Sequence, residues 1–218
     1  MAGYLGNIPS AVPLTSADIA DGIISSAKIA DGTIVNADIN ASAGIDSTKI
    51  SGISSDFVKL LSTSASASSA VSIDGYFTST YDRYILYLTG GYQSTGNRIN
   101  MKVNKSGTVQ TGDYKSISEY QTNEVTDGAL YETDYFHIGY WYSDTTRRNS
   151  AIIDIINPLG TSYSKEFFWK VQGQDNAYNV WTSGGGVHNV TSAISGVTIL
   201  NQSGYNFTID KIVLYGIK

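Results

Sequence analysis

Residues 14 to 53 place the tightest constraint on this chain, because they repeat about every ten residues. Ser16-Ala17-Asp18-Ile19-Ala20-Asp21-Gly22 returns as Ser26-Ala27-Lys28-Ile29-Ala30-Asp31-Gly32. Looser copies follow as Asn36-Ala37-Asp38-Ile39 and, slipped by one residue, Ser47-Thr48-Lys49-Ile50. A second isoleucine stands halfway through each unit, so the series runs Ile19, Ile24, Ile29, Ile34, Ile39, Ile45 and Ile50. A helix asks for apolar residues about three and four apart, and a coiled coil for about 3.5 on average. A plain strand has a period of about two, so a five-residue step would send alternate isoleucines to opposite faces. One apolar line survives only if the chain turns within each step. Ala-Asp-Gly supplies such a turn, since Asp bonds neighbouring backbone and Gly accepts positive φ. The spacing predicts very short strands joined by tight turns and stacked unit on unit.

A single copy cannot bury that line. Between the isoleucines stand only Ala, Ser, Thr, Asp, Asn, Lys and Gly, apart from Ile23 and Val35. Full burial of an isoleucine contributes roughly 1.5–3 kcal/mol, while ordering backbone costs about 1–2 kcal/mol per residue. A narrow ribbon leaves its isoleucines half wet and does not close that balance. Several copies facing a common axis would, and the expectation is three, in a thin intertwined shaft. The composition alone would also suit a disordered Ala/Ser/Asp linker. The regular isoleucines argue against it.

These phrases resemble the repeats of bacteriophage fibre proteins, in which Ala-Lys-Ile-Ala-Asp-Gly runs recur. The opening Met1-Ala-Gly-Tyr-Leu-Gly-Asn-Ile-Pro9 resembles the start of short virion fibres. Phe207-Thr-Ile-Asp-Lys-Ile-Val-Leu-Tyr-Gly-Ile-Lys218 resembles the closing strand of their distal β-domains. The resemblance implies a structural protein on the exterior of a phage particle, made in the host cytoplasm without a signal peptide. It implies a homotrimer joined at its N-terminus to another virion protein, either a tail adaptor, nozzle or baseplate or the capsid. A tail fibre is the first expectation, a head fibre or capsid-decorating protein the second.

Composition narrows the rest. Charged residues make up 15 % of the chain, well below the usual quarter. The net charge of −5 offers no basic groove for nucleic acid. The absence of cysteine excludes disulfides and thiolate zinc sites. Met1 to Pro13 lacks the basic start and apolar run of a signal peptide, and no stretch approaches the roughly 20 apolar residues of a membrane span. No membrane insertion is expected.

Residues 1–13 are too apolar for an idle tail, with Tyr4, Leu5 and Ile8 the expected virion-attachment contacts. Residues 14–53 form the shaft. Residues 54–70 read as a junction, in which Asp56 caps one helical turn carrying Phe57, Val58, Leu60 and Leu61 and a flexible or extended Ser/Ala spacer, Ser62 to Ser69, follows. From Val71 the texture changes: every tyrosine but Tyr4, and all 3 tryptophans, lie beyond residue 70. Strand-like runs are Tyr84–Leu88, Ile99–Val103, Tyr135–Trp141, Ala151–Ile156, Phe167–Val171, Tyr178–Trp181, Val197–Leu200 and Phe207–Ile217. Turn signals separate them at Thr89-Gly-Gly91, Ser106-Gly107, Asp127-Gly128, Asn157-Pro158, Gly184-Gly-Gly186 and Ser203-Gly204. The expectation for residues 71–218 is an all-β, two-sheet sandwich of jelly-roll type.

Little here points to chemistry. His137 and His188 stand apart, and no HExxH, P-loop or GxSxG pattern occurs. The acidic stretch Asp113, Glu119, Glu124, Asp127, Glu132 and Asp134 could hold calcium or an acid pair, but a solvated loop face is the plainer reading. No enzyme activity, cofactor or metal is expected. Recognition of host-surface polysaccharide is the better class, since sugars stack on aromatic faces beside polar groups. The candidates are Tyr120, Tyr131, Tyr135, Trp141, Tyr142 and Trp181. The alternative from another class is a cellular carbohydrate-binding module with a linker, which would be monomeric.

Overall fold

The structure is a computed structural model that describes residues 20–40, 42–46, 56–122, 126–143, 146, 148–174 and 179–218. The chain divides into two units, Met1–Ile53 and Ser54–Lys218. Tyr4, Leu5, Ile8, Ile19, Ile50 and Tyr178 lie outside the described residues.

In the first unit the decapeptide period of the sequence is a period of the backbone. Ile23 N–H donates to the Ala20 carbonyl at 3.2 Å, and ten residues later Thr33 N–H donates to Ala30 at 3.1 Å. Both turns pass through a left-handed glycine, Gly22 at φ +76° and Gly32 at +77°. Halfway between lie 3₁₀ turns, Ser26–Lys28 and Asn36–Asp38, closed by Lys28 N–H to Ser25 at 2.9 Å and Asp38 N–H to Val35 at 2.9 Å. The expected short strands are absent from the described residues of this unit. A strand needs a ladder partner, and here the Asp38 carboxylate instead accepts the Val35 N–H at 2.9 Å, a local bond that favours a turn. The described isoleucines all remain 40–54 % exposed or more, up to 56 % at Ile34.

The second unit is all-β and antiparallel. Its first seven strands are β1 (Phe57–Ser68), β2 (Ala70–Asp74), β3 (Arg83–Gln93), β4 (Asn97–Lys105), β5 (Thr108–Val109), β6 (Tyr114–Thr122) and β7 (Thr126–Glu132). The remainder are β8 (Phe136–Trp141), β9 (Asn149–Ile156), β10 (Lys165–Gln174), β11 (Asn179–His188), β12 (Gly196–Asn201) and β13 (Phe207–Ile217). An eight-stranded sheet runs β1-β13-β3-β9-β10-β11-β6-β7. A five-stranded sheet runs β2-β12-β4-β5, with β8 also paired to β4. Alternation builds the core between them. On β4, Ile99, Met101 and Val103 are fully buried, and they meet Leu86, Leu88, Ile153, Trp169 and Leu214 of the larger sheet in one apolar cluster.

All eight sequence-read runs overlap strands, with Tyr135 just before β8 and Tyr178 outside the described residues, and several connections between them are corrected. From Asp56 on, the junction holds no helical turn: Phe57–Ser68 is β1, extended as one reading of the spacer had it, but paired with β13. A register shift between Lys59 and Leu61 breaks its period of two, so Phe57, Val58, Leu60 and Leu61 mimic helical spacing. Gly184–Gly186 is strand, not loop. Trp169 lies across its strand partner Gly184, where an added Cβ would meet the indole Cζ2 at 2.4 Å. Gly90 and Gly91 form a bulge within β3 rather than a turn, and Gly91 leaves room for the Trp141 ring. Asp127-Gly128 lies inside β7. The turns at Ser106-Gly107, Pro158 and Ser203 are present.

Candidate functional site

β8 is the outer strand of the smaller sheet beside β4, and its alternation sorts side chains into two sets. Phe136 faces the core opposite Met101, while Tyr140 stands outside opposite Arg98. From there a rim of tyrosines and polar groups runs on. The Tyr140 and Tyr142 rings are 4.9 Å apart. The Tyr142 hydroxyl lies 2.7 Å from that of Tyr120, at the open end of β6. On the other side of Arg98, its guanidinium pairs with Glu132 at 3.6 Å, and the Gln202 amide donates to the Tyr135 hydroxyl at 3.2 Å. Partial burial and then the Glu132 carboxylate raise the Tyr135 phenol above its ordinary value, against a pull from Arg98. It therefore stays a neutral donor and acceptor at physiological pH. The rim offers phenols, a guanidinium, a carboxylate and an amide beside partly exposed rings. That set suits polar ligands rich in hydroxyls, and it can orient them without any bond-breaking step.

The six expected sugar contacts separate in the fold. Tyr120, Tyr135 and Tyr142 belong to this rim. Trp141 is fully buried against Gly91 and Phe207, so it presents no face to a ligand. Tyr131 and Trp181 lie on the outward face of the larger sheet, at 77 % and 41 % exposure. Arg98, Glu132, Tyr140 and Gln202 were not legible as site residues. Only the step of two from Tyr140 to Tyr142, with Trp141 turned the opposite way between them, carried a signal.

The acidic side chains that the structure describes do not gather. Asp113 neighbours His188, Glu119 faces outward on β6, and Glu132 is held by Arg98. Glu124 lies outside the described residues. Among those residues no three His, Cys, Asp or Glu side chains converge as a metal site. Both histidines are buried. His137 shares a hydrogen bond of 3.3 Å with Asn100, and burial, helped by Arg98, lowers its pKa to about 4. His188 packs on the Tyr114 ring beside Lys165, whose ammonium donates to the Val190 carbonyl at 2.8 Å.

The outward face of the larger sheet is of another kind. One row across it reads Asp154, Phe168, Gly185, Ile117 and Tyr131, and the next Tyr87, Ile152, Lys170, Ser183 and Glu119. Gly185 leaves a hollow beside Phe168, part of a groove of about 630 Å³. Comparison of the chain with protein-family models, curated proteins and solved structures found no match, so the rim, the groove and the repeat carry the functional argument unaided.

Proposed function

We propose that this chain is the subunit of a homotrimeric phage tail fibre, a structural virion protein whose distal β-domain recognises host-surface saccharide. The observation that carries the reading is the first unit. Its turns recur in register every ten residues, yet every described isoleucine stays exposed. A backbone this regular with no buried side chain is one layer of a structure that other copies complete. The isoleucine line, from Ile19 to Ile50, then lies along the shared axis, and residues 1–13 attach the fibre to the particle. The path of the second unit supports the jelly-roll assignment. The chain alternates between sheets from β1 through β4, then from β8 to β9 and from β12 to β13, while β10, β11, β6 and β7 widen one sheet. The tyrosine rim is the saccharide site, and three copies multiply its affinity on a surface bearing many receptors.

The test is the solution mass by light scattering of the intact chain and of Ser54–Lys218. The shorter piece starts there because β1 begins at Phe57. A trimer that weakens sharply on truncation, and that Ile29→Asp with Ile34→Asp dissociates, supports the fibre. A monomeric intact chain overturns it. Loss of glycan-array binding in Arg98→Ala and Tyr142→Ala, with the trimer intact, would then locate recognition at the rim.

A further inference from the structure

We infer that the outward face of the eight-stranded sheet is a contact surface between the β-domains of copies of this chain, a second interface besides the repeat. An antiparallel sheet with one solvated face normally alternates apolar-in and polar-out. The smaller sheet follows that rule. Opposite its core residues it carries polar side chains, the exposed Ser72, the half-buried Lys102 and the buried Asn104 and Thr198, with Asn104 bonded to Ser72 at 2.9 Å and to Thr198 at 2.8 Å. The larger sheet breaks it. Phe168, Ile152, Ile117 and Trp181 are 41–51 % exposed at positions where polar residues belong. Ile117, Ile152 and Phe168 line one groove and Trp181 a second, and exposed apolar surface of this kind marks a protein contact.

The chemistry selects the occupant. Ile117 and Ile152 are branched aliphatics, which offer a sugar neither a flat ring nor a hydrogen bond, so a saccharide does not account for them. The charges are of both signs and close together: Ser183 is flanked across the ladder by Lys170 and Glu119. One copy's Lys170 can therefore meet another's Glu119, as self-association requires. The exposed apolar residues span the four strands β9, β10, β11 and β6, about 4.8 Å apart, and three outward rows about 6.8 Å apart, roughly 400 Å² of sheet. Resting on the fibre reading, the repeat holds the domains at high local concentration, because only a few residues separate Ile53 from β1.

The chain has no cysteine, so single thiols can be placed at will. Ser183→Cys exchanges one atom on the proposed interface, and Phe168→Cys tests its centre. Ser72→Cys, exposed on the smaller sheet, is the control. In the intact chain, maleimide should modify the thiols at 183 and 168 at least tenfold more slowly than the one at 72. Adding Ile29→Asp and Ile34→Asp should remove that protection. Equal rates in a chain that light scattering shows to be oligomeric would overturn this interface and leave the fibre standing. Equal rates in a monomeric chain would overturn both. Protection that arises only on adding host glycan would also overturn it, by assigning the face to saccharide.

Discussion

In the repeat, Ile24, Ile29, Ile34 and Ile39 keep 40–56 % of their surface in water, whereas Ile99, Ile153, Ile155 and Ile199 of the β-domain are fully enclosed. The side chain is the same and the surroundings differ. On strands, a period of two collects isoleucines on one face, and a second sheet of the same chain covers that face. In the repeat, left-handed glycines and 3₁₀ turns space the isoleucines evenly and supply no covering layer. The β-domain carries its stability within one chain. The repeat is ordered locally by its turns and, on the proposed fibre reading, realises its hydrophobic gain between chains.

The largest test of this contrast is to empty the domain core. Trp141→Ala removes a fully buried indole and should cost about 3–5 kcal/mol. Urea unfolding followed by fluorescence reads that loss directly, since all 3 tryptophans lie in the β-domain. Ile34→Ala should leave the same transition unmoved while weakening the oligomer on dilution.

Acid should divide the two regions as well, because both histidines lie in the β-domain. Burial holds His137 at about 4 in the folded state, against an ordinary 6.5. The unfolded chain therefore binds the extra proton first as pH falls. The stability is fully present above about pH 6.5 and is lost progressively toward pH 4, on the order of 3 kcal/mol. His188 is lowered too, chiefly by burial, and adds in the same direction. Thermal melts at pH 7, 5.5 and 4 should show a steeper fall for the native domain than for His137→Asn.

The smallest effect belongs to the turns. Gly32 sits at φ +77° with open space where a Cβ would go, so Gly32→Ala meets only the left-handed backbone penalty, about 1 kcal/mol. It should lower the melting temperature of the oligomer and leave the β-domain transition where it is.

Strands were legible where alternation was unbroken, as on β4, and illegible where the register slips. The bulge near Leu60 turned β1 into an apparent helical turn. Glycine misled for a related reason. At Gly22 and Gly32 it marks a turn, as its chemistry suggests, but at Gly184 and Gly186 it makes room on a strand for Trp169 and Phe136 from neighbouring strands. Such clearance depends on tertiary neighbours and leaves no local trace. The rim was half legible. Its tyrosines draw notice in a sequence, while Arg98, Glu132 and Gln202 join them only because β4, β7 and the turn after β12 converge on β8.

Among the described residues β1 is paired only with β13, so the first strand of the domain is hydrogen-bonded to the last, Phe57 against Ile217. Synthesis runs at about 5–20 residues per second, so roughly ten to thirty seconds separate the emergence of these two strands from the ribosome. Throughout that interval β1 has no partner, and β3 lacks the neighbour that will join it to β1. The larger sheet cannot close until β13 has emerged. Its earliest strand is the last to find its place, and the folding rate of the domain is tied to this longest of its loop closures.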